Sequence, residues 1–133
     1  MVWVTSGNRL YSYSPKTVQE INQLPLSNIG FSPVFADGSL WLIVGNEIQQ
    51  IDPRTVEPGN PVPAGGSPAS LAAGNGALWA VDYFDGRLTR LAPGRGRTSS
   101  VKVGNEPIFP AGDNLSAIAV GGGAIWVAVT AGH

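Results

Sequence analysis

The chain has 133 residues, of which 43% are hydrophobic and only 13% charged, and its net charge of −1 comes from lysines and arginines scattered among acidic residues. That length suits one domain with a real core, and that charge pattern excludes the basic stripe of a nucleic-acid binder. Cysteine is absent, which excludes disulfides, thiol nucleophiles and thiolate metal sites and fits either redox compartment.

No apolar run approaches the 18 residues of a membrane-crossing helix, so neither nucleic acid nor membrane is expected as a partner. No basic segment followed by a long apolar one opens the chain, so no signal peptide is read and the compartment stays open. The 18 glycines and 11 prolines fall as punctuation between short apolar runs. That is the mark of an all-β chain with many tight turns.

Residues 1–5 read as a short strand, turned by Ser6-Gly7-Asn8 into a second strand over 9–14 with alternating Leu10, Tyr11 and Tyr13. Pro15 ends it, because proline cannot donate to a ladder, and 18–26 is a more polar outer strand. The next unit starts at 31–36 and turns at Asp37-Gly38, a strong hairpin signal. Its central strand, 40–44, is apolar throughout, as a strand buried on both faces should be. A third strand, 47–51, ends at Asp52-Pro53, and the outer one, 56–64, carries Pro58, Pro61 and Pro63, tolerable only at an edge. The plan repeats at 70–73, 78–81, 87–91 and 98–103, and again at 115–120 and 125–129. Lettered from the innermost strand outward, the order is b-c-d, a-b-c-d, a-b-c-d, a-b.

The repeat is visible in residues. Gly38-Ser39-Leu40-Trp41 matches Gly76-Ala77-Leu78-Trp79 and Gly123-Ala124-Ile125-Trp126, with Val2-Trp3-Val4 as a shortened first copy, and the four tryptophans are 38, 38 and 47 residues apart. Four-stranded units of about 40 residues are the signature of β-propeller blades. At these residues, and at Ile51-Asp52-Pro53, the chain resembles the NHL, YVTN and streptogramin-lyase-like propellers of bacteria. The Gly-His and Trp-Asp pairs of the WD repeat are absent. The expected architecture is one partial propeller domain over 1–133, with units at 1–30, 31–67, 68–105 and a partial unit at 106–133. Trp3, Trp41, Trp79 and Trp126 are structural repeat residues in this reading, wedged between neighbouring blades; a row of ligand-stacking indoles is the other reading.

A propeller closes with roughly four to eight blades, and this chain supplies about three. An open arc exposes apolar side faces, so the expectation is either further blades in a longer chain or self-association that completes the ring.

Function is read from departures from the repeat. The b–c turn of the third unit is longer, since 14 residues separate Trp79 from Pro93 against 12 from Trp41 to Pro53. It carries Asp82, Tyr83, Phe84 and Asp85. The d–a connection over 104–114 is also extended and carries Glu106, Phe109, Asp113 and Asn114. In propellers of the resembled type these two kinds of connection emerge on one face. Acidic and aromatic groups there suit a cationic or sugar-like ligand or a protein loop; as plain structure, the aromatics cap blade edges and the carboxylates are solvated. A non-catalytic binding or scaffold propeller is therefore expected. The alternative is a fragment of a metal-dependent lyase or hydrolase of the streptogramin-lyase-like type. The resemblance implies a histidine base and a metal near the axis for that activity, whereas His133 is the only histidine. No cofactor is expected, although Asp82, Asp85 and Asp113 are an oxygen set of the kind Ca²⁺ or Mg²⁺ takes.

Overall fold

In the computed structural model, the described residues are 1–63, 66–82, 86–92, 96–103 and 114–130, excluding the side chains of 96–98, 102, 114–116 and 129–130. They form strands only. The first sheet is β1 (Val2–Ser6), β2 (Arg9–Tyr13) and β3 (Glu20–Pro25), in that order. The second runs β4 (Gly30–Ala36), β5 (Ser39–Val44) and β6 (Glu47–Asp52), with an outer edge in two pieces, β7 (Glu57–Pro58) and β8 (Val62–Pro63), both paired to β6. The third is β9 (Pro68–Gly74), β10 (Ala77–Asp82), β11 (Arg87–Ala92) and β12 (Gly96–Lys102), and the fourth is the hairpin β13 (Asn114–Gly121) and β14 (Ala124–Thr130). The strand order is the one the sequence predicts. The continuous outer strand expected at 56–64 is instead broken, because three prolines there remove ladder donors.

Hairpin chemistry sets the register. Asp37-Gly38, Asn75-Gly76 and Gly122-Gly123 all have positive φ at both turn positions, the type I′ geometry whose twist matches that of the flanking strands. Trp41 is thereby placed opposite Val34 and Gln50, and Trp79 opposite Ala72 and Arg90. Alternation along each strand then sorts the side chains between two faces.

Two apolar layers hold the sheets together. Between the first and second sheets lie Leu10, Leu40, Leu42, Val44 and Ile51, with Trp3, Leu24, Leu26 and Val56 packed against them. Between the second and third lie Trp41, Ile43 and Ile48 against Leu71, Leu78, Ala80 and Leu91. β5 feeds both layers, its even residues one and its odd residues the other, which is why it is apolar throughout. The inner strands also stack directly. The Ser32 hydroxyl on β4 accepts the Leu71 N–H of β9 at 2.8 Å and lies 3.3 Å from the Leu71 carbonyl. Further along, β13 packs on β9 and β10, with Val120 pressed against Gly74.

Three of the tryptophans make a directed contact. Trp41, Trp79 and Trp126 each donate the indole N–H to the carbonyl five residues earlier, at Ala36, Gly74 and Gly121, at 3.2, 3.0 and 3.0 Å. Each indole thus latches its strand to the end of the inner strand across the turn.

Candidate functional site

At one end of the sheets the b–c turns meet the d–a connections. The carbonyls of Gly7 and Asn8 accept the N–H groups of Gly30 and Leu26 at 2.9 and 2.7 Å, and Ile29 accepts from Gly45 at 2.8 Å. In the third sheet the Gly86 carbonyl accepts from Val103 at 2.7 Å. Backbone hydrogen bonding therefore joins the b–c turns of the first two sheets to the connection between them, and ties the third sheet's b–c turn to the end of its outer strand.

Asp82 closes β10 on this face. It is 9% exposed, and its carboxylate accepts the Ser67 N–H at 2.6 Å. A charged acceptor on a backbone donor is a strong bond, so Asp82 ties the strand end to the connection that leads into β9. The sequence makes it a candidate ligand contact through the turn it borders; the structure shows a positioning contact 15 residues away that no local motif announces. Asn114 begins β13, in register with Thr130, and its side chain is outside the described set. Tyr83, Phe84, Asp85, Glu106, Phe109 and Asp113 lie outside the described residues, as does His133. Among the described residues no group of three or more His, Cys, Asp and Glu is placed to hold a metal ion; of the oxygen set Asp82, Asp85 and Asp113, only the first belongs to them.

The opposite end, with the a–b and c–d turns, carries two concavities that sequence reasoning missed. One is a groove of about 480 Å³ between the first and second sheets, lined by Met1, Trp3, Pro33, Val34, Phe35, Leu40 and Pro53. It is largely apolar, and Met1 and Phe35 on its walls are 59% and 55% exposed. The other, about 300 Å³, is polar and lies beside Ser39, Gln50, Asp52, Thr55 and Glu57. There the Gln50 amide donates to the Ser39 hydroxyl at 2.8 Å. The Arg54 N–H donates to Asp52 at 2.8 Å, and its guanidinium lies 3.6 Å from the same oxygen. That backbone hydrogen bond, with the Arg54 charge adding to it, holds the Asp52 carboxyl below its ordinary value. On the third sheet the Arg90 guanidinium stands 6.0 Å from the Trp79 ring centroid, within cation–π range.

No family model matches the chain, and no curated protein does either. Among solved structures it is similar to the glutaminyl cyclase of Myxococcus xanthus, at 17% identity and a TM-score of 0.64 over 92% of this chain and 60% of that one. It is similar to a chain of the mitotic checkpoint complex, at 14% identity and a TM-score of 0.74 over 95% of this chain and 42% of the other. It is also similar to apo AztD from Citrobacter koseri, at 17% identity and 0.61 over 76% and 31%. The chain thus spans 60% or less of the length of each. At such identities the likeness is one of fold. The protein is all-β, built of antiparallel β-propeller blades, and forms part of a propeller.

Proposed function

We propose that this chain is a non-catalytic binding propeller that recognises a protein loop or a small cationic or sugar-like ligand on its loop face. The observation that supports it is the Asp82 bracket: a nearly buried carboxylate fixes the root of the long 82–86 turn to the start of the third sheet. A turn anchored at its base presents its tip with less ordering cost on binding. The residues assigned to ligand contact in this reading are Asp82, Tyr83, Phe84 and Asp85 from the long turn and Glu106, Phe109, Asp113 and Asn114 from the extended connection.

The test is an NMR titration of the intact chain with spermidine, N-acetylglucosamine, Ca²⁺ and an arginine-rich peptide as separate probes. Saturable shifts are expected in 82–86 and 104–114 for at least one probe, lost in Phe109→Ala and Asp113→Ala while thermal unfolding is unchanged. Unchanged affinity in both variants removes this site.

We further propose self-association. Val2 and Val4 on the outer face of the first sheet are 47% and 42% exposed, and Trp126 on the far face of the fourth is 64% exposed. These positions correspond to Leu40, Leu42 and Trp41, all buried where two sheets meet. Further blades of a longer chain, or a second copy, would cover them in the same manner. A mass in solution that stays monomeric at micromolar concentration removes the second copy.

A further inference from the structure

Where a unit repeats, function sits in the copy that departs from the others, and the second sheet departs at the end away from the loop face. Each indole faces one residue of the next strand: Ser12 for Trp3, Gln50 for Trp41 and Arg90 for Trp79. Two residues on, where that strand gives way to the c–d turn, stand Ser14, Asp52 and Ala92. Of the three sheets only the second puts a carboxamide and a carboxylate there, in succession on the face that carries Ser39 and Trp41. This sheet has a packed neighbour on each side, so the feature does not come from an uncovered blade.

The polar concavity of about 300 Å³ is built on these residues. Half-buried Ser39, Gln50 and Asp52 line it, with exposed Thr55 and Glu57 at the rim. Ser39 fixes the Gln50 side chain by accepting its amide N–H at 2.8 Å. The Gln50 Oε1 is left beside Gly59, where an added Cβ would lie 3.4 Å from it. Gly59 has no positive φ that calls for glycine; what its missing side chain leaves is space. Glu57 is paired directly across the ladder from Asp52, and like charges in that position repel. Arg54 lies 3.6 Å from Asp52, but its side chain is 88% exposed. Among the described residues nothing donates to Glu57 or to Gln50 Oε1. Pro58, with its fixed φ, stiffens the wall.

We infer that this concavity binds the ammonium head of a primary alkyl amine. Its three acceptors, Gln50 Oε1, Asp52 and Glu57, match the three N–H donors of an alkylammonium, whose charge relieves the opposition of the two carboxylates. The ring of Pro58 gives the alkyl chain an apolar wall. A divalent ion fits less well. Calcium takes about six to eight oxygens, the Arg54 guanidinium beside Asp52 opposes a double charge, and no three His, Cys, Asp or Glu among the described residues are grouped to hold a metal. A free amine and a lysine side chain present the same head. The site is at the opposite end of the sheets from the loop face and does not depend on it.

The experiment is an NMR titration of the intact chain, at neutral pH and low salt, with n-butylamine as the free amine and Nα-acetyl-lysine methylamide as the peptide-borne one. Expected are saturable shifts of the Gln50 side-chain amide and of the Ser39, Glu57 and Gly59 backbone amides, with none in 82–86; the tighter probe identifies the source. Butyltrimethylammonium keeps the charge and loses the three donors, so its binding falls at least tenfold. Glu57→Gln lowers affinity about fivefold, the worth of an exposed charged pair. Gly59→Ala fills the space beside Gln50 Oε1 and lowers it by a similar factor, with thermal unfolding unchanged or raised. Absence of saturable shifts at these residues, equal binding of butyltrimethylammonium, displacement of the amine by equimolar Ca²⁺, or full affinity in both variants overturns the proposal. So does a gain in affinity when Arg95→Ala and Arg97→Ala are combined, since the third sheet's own c–d arginines are then the occupants.

Discussion

Trp41 and Trp126 share a local sequence pattern, glycine, a small residue and an aliphatic one before the indole, with the same strand position and the same indole-to-carbonyl latch. One is 2% exposed and the other 64%. The difference is the neighbouring sheet: the third sheet covers Trp41, and among the described residues nothing covers Trp126. Local sequence therefore sets strand, turn and latch, while burial is decided by which face finds another sheet. The largest expected effect follows. Trp41→Ala opens a cavity between two packed sheets and costs about 3–5 kcal/mol. Trp126→Ala removes an exposed ring and one hydrogen bond, a loss of about 1 kcal/mol or less. Urea unfolding of the two variants measures both. Similar losses would mean that Trp126 is covered in solution, which is what a second copy on the fourth sheet requires.

The two latch glycines repeat the contrast at smaller scale. A Cβ on Gly74 meets the Val120 side chain, with the Val120 Cβ 2.9 Å away, whereas a Cβ on Gly121 meets nothing within 4 Å. Gly74→Ala forces β9 and β13 apart and costs about 1–3 kcal/mol. Adding Val120→Ala restores part of that. Gly121→Ala is neutral or slightly stabilising, since neither strain nor contact opposes it and the unfolded chain loses freedom. A Gly74→Ala variant as stable as the parent would show that the fourth sheet does not pack on the third as described.

Much of this fold was legible from the chain. Gly-x-Leu-Trp marks a turn and a buried strand, Asp37-Gly38 and Asn75-Gly76 name their own turn type, and the uninterrupted run Leu40-Trp41-Leu42-Ile43 states that both faces are covered. The latch was not legible, because its acceptor is a backbone carbonyl whose identity depends on cross-strand register. Nor was the groove: Trp3 and Phe35 are far apart in sequence, and a cleft between two sheets leaves no motif. For the loop face, topology alone brings the b–c and d–a connections together. The Asp82–Ser67 bracket is invisible in sequence because one partner is a backbone N–H.

A second pair of matched positions isolates backbone strain. Ser14-Pro15-Lys16-Thr17-Val18 and Asp52-Pro53-Arg54-Thr55-Val56 form the same turn, closed by the Val18 N–H to the Ser14 carbonyl and the Val56 N–H to the Asp52 carbonyl, both at 2.8 Å. Each valine sits at positive φ, 58° and 59°, where a β-branched residue is strained by about 1–2 kcal/mol. Val18 is 76% exposed, whereas Val56 packs against the layer between the first two sheets. Val18→Asn therefore raises stability by about 0.5–1 kcal/mol, because asparagine tolerates this conformation and no packing is lost. Val56→Asn gives up buried contact and lowers it. Thermal midpoints of the two variants moving in the same direction would refute this division.

The smallest expected effect separates the same two turns by charge. Ser14 accepts the N–H groups of Lys16 and Thr17 with a hydroxyl, at 3.3 Å each, and has nothing to titrate. Asp52 accepts the Arg54 N–H with a carboxylate whose pKa is lowered, first by that hydrogen bond. A carboxyl depressed in the folded state contributes stability above its unfolded pKa and loses it as pH falls through the folded one. Acid should therefore weaken the second sheet's turn and leave the first sheet's turn untouched. In Asp52→Ser the decline in unfolding midpoint between about pH 5 and pH 2 becomes shallower, while stability near neutral pH falls slightly. Ser14→Asp does the reverse and steepens the acid decline. If neither substitution alters that slope, the charge on Asp52 is not coupled to folding, and the two turns are held by their backbone bonds alone.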